Sequence, residues 1–288
     1  MTTNRTSDEQ RKEVSQAYSE AILKTTTSSC CSPGCCAPPG TFTAESIGYK
    51  PGDLAKLPLE AATSSFGCGN PLAFADVKEG ETVVDLGSGA GLDLLLAGEK
   101  VGPTGQVIGI DMTDAMIEQA RRNIARAGVD NVEVRKGIIE ALPVDTGTVD
   151  WVISNCVINL SPEKDRVFAE ISRVLRPGGT MQVSDIVASE LPDWVRARSD
   201  LFTACIGGAV TEDEYVAGLR SAGLESVEVR ERFEYDASQI KAFLESEELP
   251  ATSEAQVALT PDEIDRIATT LAGKVWSAKI VARKPLPE

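Results

Sequence analysis

The 288-residue chain contains no histidine. That absence removes every Ser/His/Asp and Cys/His nucleophile pair, every imidazole base and every His-ligated zinc, so its chemistry proceeds without imidazole. Positive charge is also scarce, with 28 Lys plus Arg against 44 Asp plus Glu and a formal net charge of −16. Such a surface repels phosphate backbones and anionic headgroups, which argues against nucleic acid and membrane surfaces as partners. Aromatics make up only 5 % of residues, and no apolar run reaches the roughly 18 residues of a membrane span. The first 23 residues carry charge at every turn and lack the apolar stretch of a secretory signal, so a cytoplasmic location is expected.

What remains is an ordinary globular composition, 42 % apolar and 25 % charged, long enough for one large domain with appendages or two small ones. Seven cysteines are present. An odd number in a chain this long suits a disulfide framework poorly, and a reducing compartment is expected to keep them as thiols for thiol chemistry or soft-ion binding.

Residues 9–24 predict an amphipathic helix with Val14, Tyr18, Ala21 and Ile22 at helical spacing. TTTSSCCSPGCCAPPG follows, whose Ser, Thr, Pro and Gly content predicts an exposed arm. From Glu81 the pattern changes to regular alternation: apolar strand, glycine turn, apolar helix, then QVIGID as a second buried strand. TDAMIEQARRNIARAG reads as a helix capped by Thr113 and closed at Gly128, followed by the strands VEVRKG and VDWVISN. SPEKDRVFAEISRVL reads as a helix with Ser161 as cap and Pro162 at its first position, and TMQVSDIV as a fifth strand. The fold class predicted is α/β, a doubly wound, mostly parallel seven-stranded sheet. The last two strands would come from LESVEVRERFEYD and VWSAKIVARK, with a helical insertion at about residues 240–272 between them. The expected organisation is a helix and cysteine-rich arm over 1–62, a core over 63–190, and a substrate-side region over 191–288.

Asp85, Gly87, Gly89 and Gly91 form D-x-G-x-G-x-G at the carboxyl end of the first strand, where an open α/β sheet places its ligand. Asp111 ends the next strand, the place from which a carboxylate reaches a ribose hydroxyl pair. Gly-Ser-Gly-Ala-Gly departs from the G-x-G-x-x-G dinucleotide fingerprint, which weighs against NAD and FAD and leaves an adenosine. At these residues, and at the LRPGG turn, the chain resembles the class I S-adenosylmethionine-dependent methyltransferases. The resemblance implies that the segment Gly87, Ser88, Gly89 and Gly91 passes beside the methionine part of S-adenosyl-L-methionine. It further implies that Asp111, with Met112, holds the ribose, and that Ile138, Ile139 and Glu140 surround the adenine.

Outside the N-terminal cluster lie only Cys68 in SFGCGNP, Cys156 in SNCVINL and Cys205 in FTACIGGAV. Cys156 and Asn155 end the fourth strand and should open onto the glycine-loop crevice, whereas Cys68 and Cys205 sit beside glycines where backbone can curl around something small. Thiolates select soft ions. Trivalent arsenic or antimony takes three pyramidal bonds and keeps a lone pair that needs no deprotonation, which suits a protein without histidine.

FGCGNP, DLGSGAGLD, IGIDMT, SNCVINLSPEKDRVFAEISRVLRPGG, SDI and CIGGA together resemble the arsenite methyltransferases. That resemblance implies that Cys68, Cys156 and Cys205 bind arsenic(III), that Phe66 and Asn155 line the cofactor site, and that one of Cys30, Cys31, Cys35 and Cys36 helps capture arsenic. The implied partners are arsenite and its methylated products, with glutathione or thioredoxin as thiol reductant. Two rival readings are methylation of an organic small molecule, with the cysteines as filler, and a non-catalytic thiol scavenger of metalloids. Replacing the four arm cysteines with serine is expected to leave cofactor binding intact and to slow methylation mainly at low arsenite. Stoichiometric zinc lost together with thermal stability in that variant would make the cluster structural instead.

Overall fold

The computed structural model describes residues 6–27, 44, 48–58, 60–61, 67–73, 75–245 and 259–287. Seven strands form one sheet in the order β3-β2-β1-β4-β5-β7-β6. They are β1 (Thr82–Leu86), β2 (Gln106–Asp111), β3 (Val132–Lys136), β4 (Val149–Asn155), β5 (Leu175–Ala188), β6 (Glu225–Glu234) and β7 (Val275–Arg283). The first five pair in parallel, while β7 runs antiparallel to both β5 and β6.

Successive residues of a strand point to opposite faces, and both faces here are covered. Val84, Leu86, Ile108 and Val152 pack with Val167, Phe168 and Ile171 of α4 (Lys164–Val174). Val83, Val107 and Val134 pack on the other face with Leu94 and Ala97 of α2 (Leu92–Val101) and with Ile117 and Ala120 of α3 (Asp114–Ala127). Double coverage is why the central strands read as near-continuous apolar runs. β6, at the sheet edge, exposes most of its residues and carries alternating Glu and Arg side chains, which blunts an otherwise pairable edge.

Helix α1 (Ser7–Thr27) covers the predicted N-terminal helix and extends it at both ends. α3 starts after Thr113 and stops at Gly128, whose φ of 65° supplies the left-handed cap. α4 begins at Lys164 with Glu163 at the N-cap position, two residues later than predicted. The Ser161 hydroxyl nonetheless accepts from Glu163 N at 3.1 Å, a capping-type bond, while donating to Glu140 Oε1 at 2.6 Å. Helix α5 (Glu212–Ser221) opens with a reciprocal capping box between Thr211 and Glu214. Thr211→Ala removes that cap at a cost of about 1 kcal/mol, and thermal melting should register it as a Tm lowered by about 2 °C. The predicted insertion contains α6 (Ala237–Glu245) and α7 (Pro261–Leu271). Among the described residues, no helix is long and apolar enough to cross a membrane.

Candidate functional site

Strand order reverses between β1 and β4, and a crevice opens at their carboxyl ends, the expected position for a ligand in an open α/β sheet. The turn after β1 forms its floor. Gly87 has φ 64°, and a Cβ there would collide with the Val157 side chain, so only glycine satisfies both constraints. Asp111 pins the loop. Its Oδ2 accepts from Gly89 N at 2.9 Å and its Oδ1 from Thr113 N at 2.8 Å. Each carboxylate oxygen retains a second lone pair for a ligand hydroxyl. Burial raises the Asp111 carboxyl, and the backbone N–H groups of Thr113 and Gly89 oppose that rise.

Of the sequence-predicted residues, Asp85, Gly87, Ser88, Gly89, Asp111 and Met112 line the crevice, as do Ile138, Ile139 and Glu140 after β3 and Asn155 at the end of β4. Gly91 does not line it. Its φ of 93° makes the turn into α2, in the left-handed region that glycine adopts freely. Phe66 lies outside the described residues, as do Cys30, Cys31, Cys35 and Cys36.

Several lining groups were not anticipated. Asp93, at the start of α2, is buried and accepts from the Tyr49 hydroxyl at 2.8 Å. Burial lifts its carboxyl to about 6, against the opposing hydrogen bonds of Tyr49 and Asn155. Asp85 is raised further, first by burial and then by the neighbouring charges of Asp93 and Asp111. Among the lining residues only Arg11 carries positive charge, against four buried acidic residues, Asp85, Asp93, Asp111 and Glu140; Arg11 pairs with Glu140, which leaves three of them with little compensation. Such a donor set favours a ligand with positive charge over an anionic dinucleotide. The Ser88 hydroxyl is buried without a hydrogen-bond partner among the described residues, and a bound ligand would satisfy it. Orphan hydroxyl, glycine cradle and carboxylates therefore fit a sulfonium-bearing adenosine.

Arg11, Val14 and Tyr18 of α1 close the crevice from above. Arg11 donates to Glu140 Oε1 at 3.1 Å and to Glu163. Helical spacing in the sequence put Val14 and Tyr18 on one face, but it did not identify what that face covers.

The three cysteines converge beside this crevice. Asn155 Oδ1 accepts from Cys68 N at 3.0 Å and Gly69 N at 3.2 Å, and its Nδ2 donates to Gly69 O at 2.5 Å. Cys156 N donates to Ser184 O at 2.8 Å. Ser184 also presses on Gly69, where a Cβ would meet its Oγ at 2.7 Å. The loop is thereby pulled onto β4 and β5, and Cys68 and Cys156 form a disulfide with a Cα–Cα separation of 5.7 Å. This corrects the expectation of free thiols at both positions: Asn155 and Ser184 impose a proximity that two cysteines 88 residues apart in sequence do not disclose. Cys205 remains a buried thiol and donates to Cys156 O at 2.8 Å. Cys156 and Cys205 both adopt positive φ, 59° and 63°, a conformation uncommon for non-glycine residues and concentrated at functional sites.

Burial pushes the Cys205 thiol up, as does the nearby Asp185 carboxylate, while the neighbouring Tyr18 hydroxyl and the charge of Lys164 oppose the rise. Beneath it, burial lifts Asp185 to about 7, against the nearby Lys164 charge. Burial brings Lys164 down to about 8, against the Asp185 charge. Asn159 Nδ2 donates to Asp185 Oδ1 at 2.9 Å, and Lys164 Nζ to Ser161 O at 3.0 Å.

Comparison with known proteins places these features. The family described as "Methyltransferase domain" matches residues 77–223. The structure of an arsenic(III) S-adenosylmethionine methyltransferase from Chlamydomonas reinhardtii superimposes with a TM-score of 0.63 at 32 % identity, covering 88 % of this chain and 75 % of that one. The chain belongs to the arsenite methyltransferase family. Within the family, the arsenite methyltransferase of Halobacterium salinarum is 45 % identical over 240 residues, 80 % of this chain and 61 % of its own length. That of Mus musculus is 34 % identical over 224 residues, 73 % of this chain and 56 % of its own. The chain thus spans a little over half the length of these curated family members.

Proposed function

We propose that the chain moves the sulfonium methyl of S-adenosylmethionine onto trivalent arsenic held by the thiolates of Cys68, Cys156 and Cys205. The observation that carries this reading is convergence: Cys156 lines the nucleoside crevice, Cys68 is bonded to it, and the Cys205 thiol reaches its carbonyl. The disulfide must first open. Two equivalents of a small thiol, or a dithiol such as thioredoxin, convert it to two cysteine thiols and are themselves oxidised to a disulfide. Arsenous acid can then exchange its three hydroxyls for three sulfurs, releasing three waters.

When bound, S-adenosylmethionine supplies an electrophilic methyl group whose carbon–sulfur bond breaks as the arsenic lone pair forms the new one. The chain's own part is positioning. Asp111 and Gly89 fix the nucleoside, and the cysteines direct the lone pair into the crevice. Such alignment can supply on the order of 7 kcal/mol with no acid or base. The absence of histidine is therefore no handicap.

Incubation of the reduced protein with arsenite, S-adenosylmethionine and a thiol, followed by speciation of the products, tests the reading. Methylated arsenic supports it. Cofactor binding without arsenic methylation would favour an organic methyl acceptor, and arsenite binding without cofactor turnover would favour a scavenger.

The buried carboxylates give a pH signature. Asp93 has its carboxyl raised to about 6. A cationic ligand favours its ionised form, so the complex holds fewer protons than the free protein and affinity rises with pH through that value. S-adenosylmethionine affinity measured by calorimetry is expected to fall several-fold as the pH drops below about 6, with neutral adenosine nearly unaffected. Equal weakening of both ligands would rule out the charge argument.

A further inference from the structure

The crevice and the cysteine wall share one element that the chemistry above does not use. Helix α1 buries Val14, Ala17, Ala21 and Ile22, and these contacts divide between the two halves of the site. Val14 packs in the cluster containing Cys156, Leu160 and Cys205. Ile22 packs against Ala90 of the glycine loop and Met116 of α3. The polar contacts divide in the same way. Arg11, whose side chain is 13 % exposed, bridges Glu140 and Glu163 at the far wall of the crevice. The Tyr18 hydroxyl donates to Thr203 O at 3.3 Å, two residues before Cys205, and its side chain packs against the cluster that holds that thiol. Glu140 is doubly engaged, since Ser161 Oγ also donates to it.

We infer that Arg11 and Tyr18 are positioning residues that make α1 a single coupling element, seated at once on the nucleoside crevice and on the Cys205 side of the arsenic site. The inference rests on the function proposed above. A nucleoside filling the crevice gives Arg11, Val14 and Tyr18 a completed surface to pack on. Arsenic held at Cys205 fixes the Thr203–Cys205 segment on which Tyr18 rests. Each ligand thus favours the seated helix, and each must tighten the other's binding by the same factor, because coupling free energies are reciprocal.

The test uses the full chain reduced with a phosphine, which leaves no competing thiol, and S-adenosylhomocysteine as a cofactor probe that cannot transfer methyl. Calorimetry should show its Kd falling about tenfold when arsenite is present, with the Kd of arsenite falling equally when S-adenosylhomocysteine is present. In Arg11→Ala and Tyr18→Phe the ratio should shrink toward one. Trypsin supplies an independent readout at Lys12, which lies on the exposed face of α1. Cleavage there should slow most with both ligands together, and this extra protection should vanish in Arg11→Ala. Wild-type protein that binds both ligands independently, or an Arg11→Ala variant with undiminished coupling, overturns the inference while the proposed function stands. Reduced wild-type protein that binds no arsenite overturns both.

Discussion

Cys156→Ser is expected to lose arsenite methylation by at least about a hundredfold, equivalent to about 2.7 kcal/mol of barrier, while still binding S-adenosylhomocysteine. Of the three cysteines, this one has the most connections: it lines the crevice, pairs with Cys68, and offers its carbonyl to the Cys205 thiol. Serine preserves the shape and the backbone bond from Cys156 N to Ser184 O, so the fold and cofactor site should survive. What it removes is one of three soft bonds to arsenic, leaving a two-coordinate metalloid whose third position is taken by water or an external thiol. Cys68→Ser and Cys205→Ser should behave alike on arsenite. A substrate already carrying one methyl has only two bonds left for thiolates and should tolerate the loss of one cysteine better. Product speciation decides the matter: full arsenite activity in any of the three variants would reduce that cysteine to packing.

The same cysteines mark where sequence reading ran out. Alternation from β1 to β5 was legible because strands buried on both faces must be apolar along their whole length, and because α3 is bounded by Thr113 at its N-cap position and by the left-handed Gly128 at its C-cap. The glycine turn was legible because a sharp, ligand-facing turn after β1 tolerates little else. Gly91, read with the ligand-facing glycines, has φ 93° and makes the turn into α2; in sequence a glycine that sets a turn looks like one that faces a ligand. The Cys68–Cys156 bond was hidden for a different reason. It depends on Asn155 and Ser184 clasping a loop from far along the chain, and no local pattern encodes that clasp. Tyr49 and Asp93 form a buried pair across 44 residues, so neither announces itself locally. α1 was read correctly as a helix, but what a helix covers is a tertiary fact.

Asp111→Ala is expected to weaken S-adenosylmethionine binding by at least about a hundredfold. Two losses combine. The first is the pair of charge-assisted hydrogen bonds that the free lone pairs of Asp111 can make to a ribose diol, each worth about 1.5 to 3 kcal/mol. The second is internal, because the same carboxylate holds Gly89 N and Thr113 N at 2.9 and 2.8 Å, and without it the glycine loop loses the clamp that shapes the crevice floor. Asp111→Asn separates the two. Its amide oxygen can keep one backbone N–H but cannot accept from both while also receiving two hydroxyls, so it should fall between wild type and alanine. Relief of the buried charge offsets part of the alanine variant's loss in stability, since burial already raises the Asp111 carboxyl, and the folded variant should remain available for calorimetry. An unchanged dissociation constant in folded Asp111→Ala would remove this carboxylate from the cofactor site and, with it, the assignment of the crevice as a nucleoside pocket.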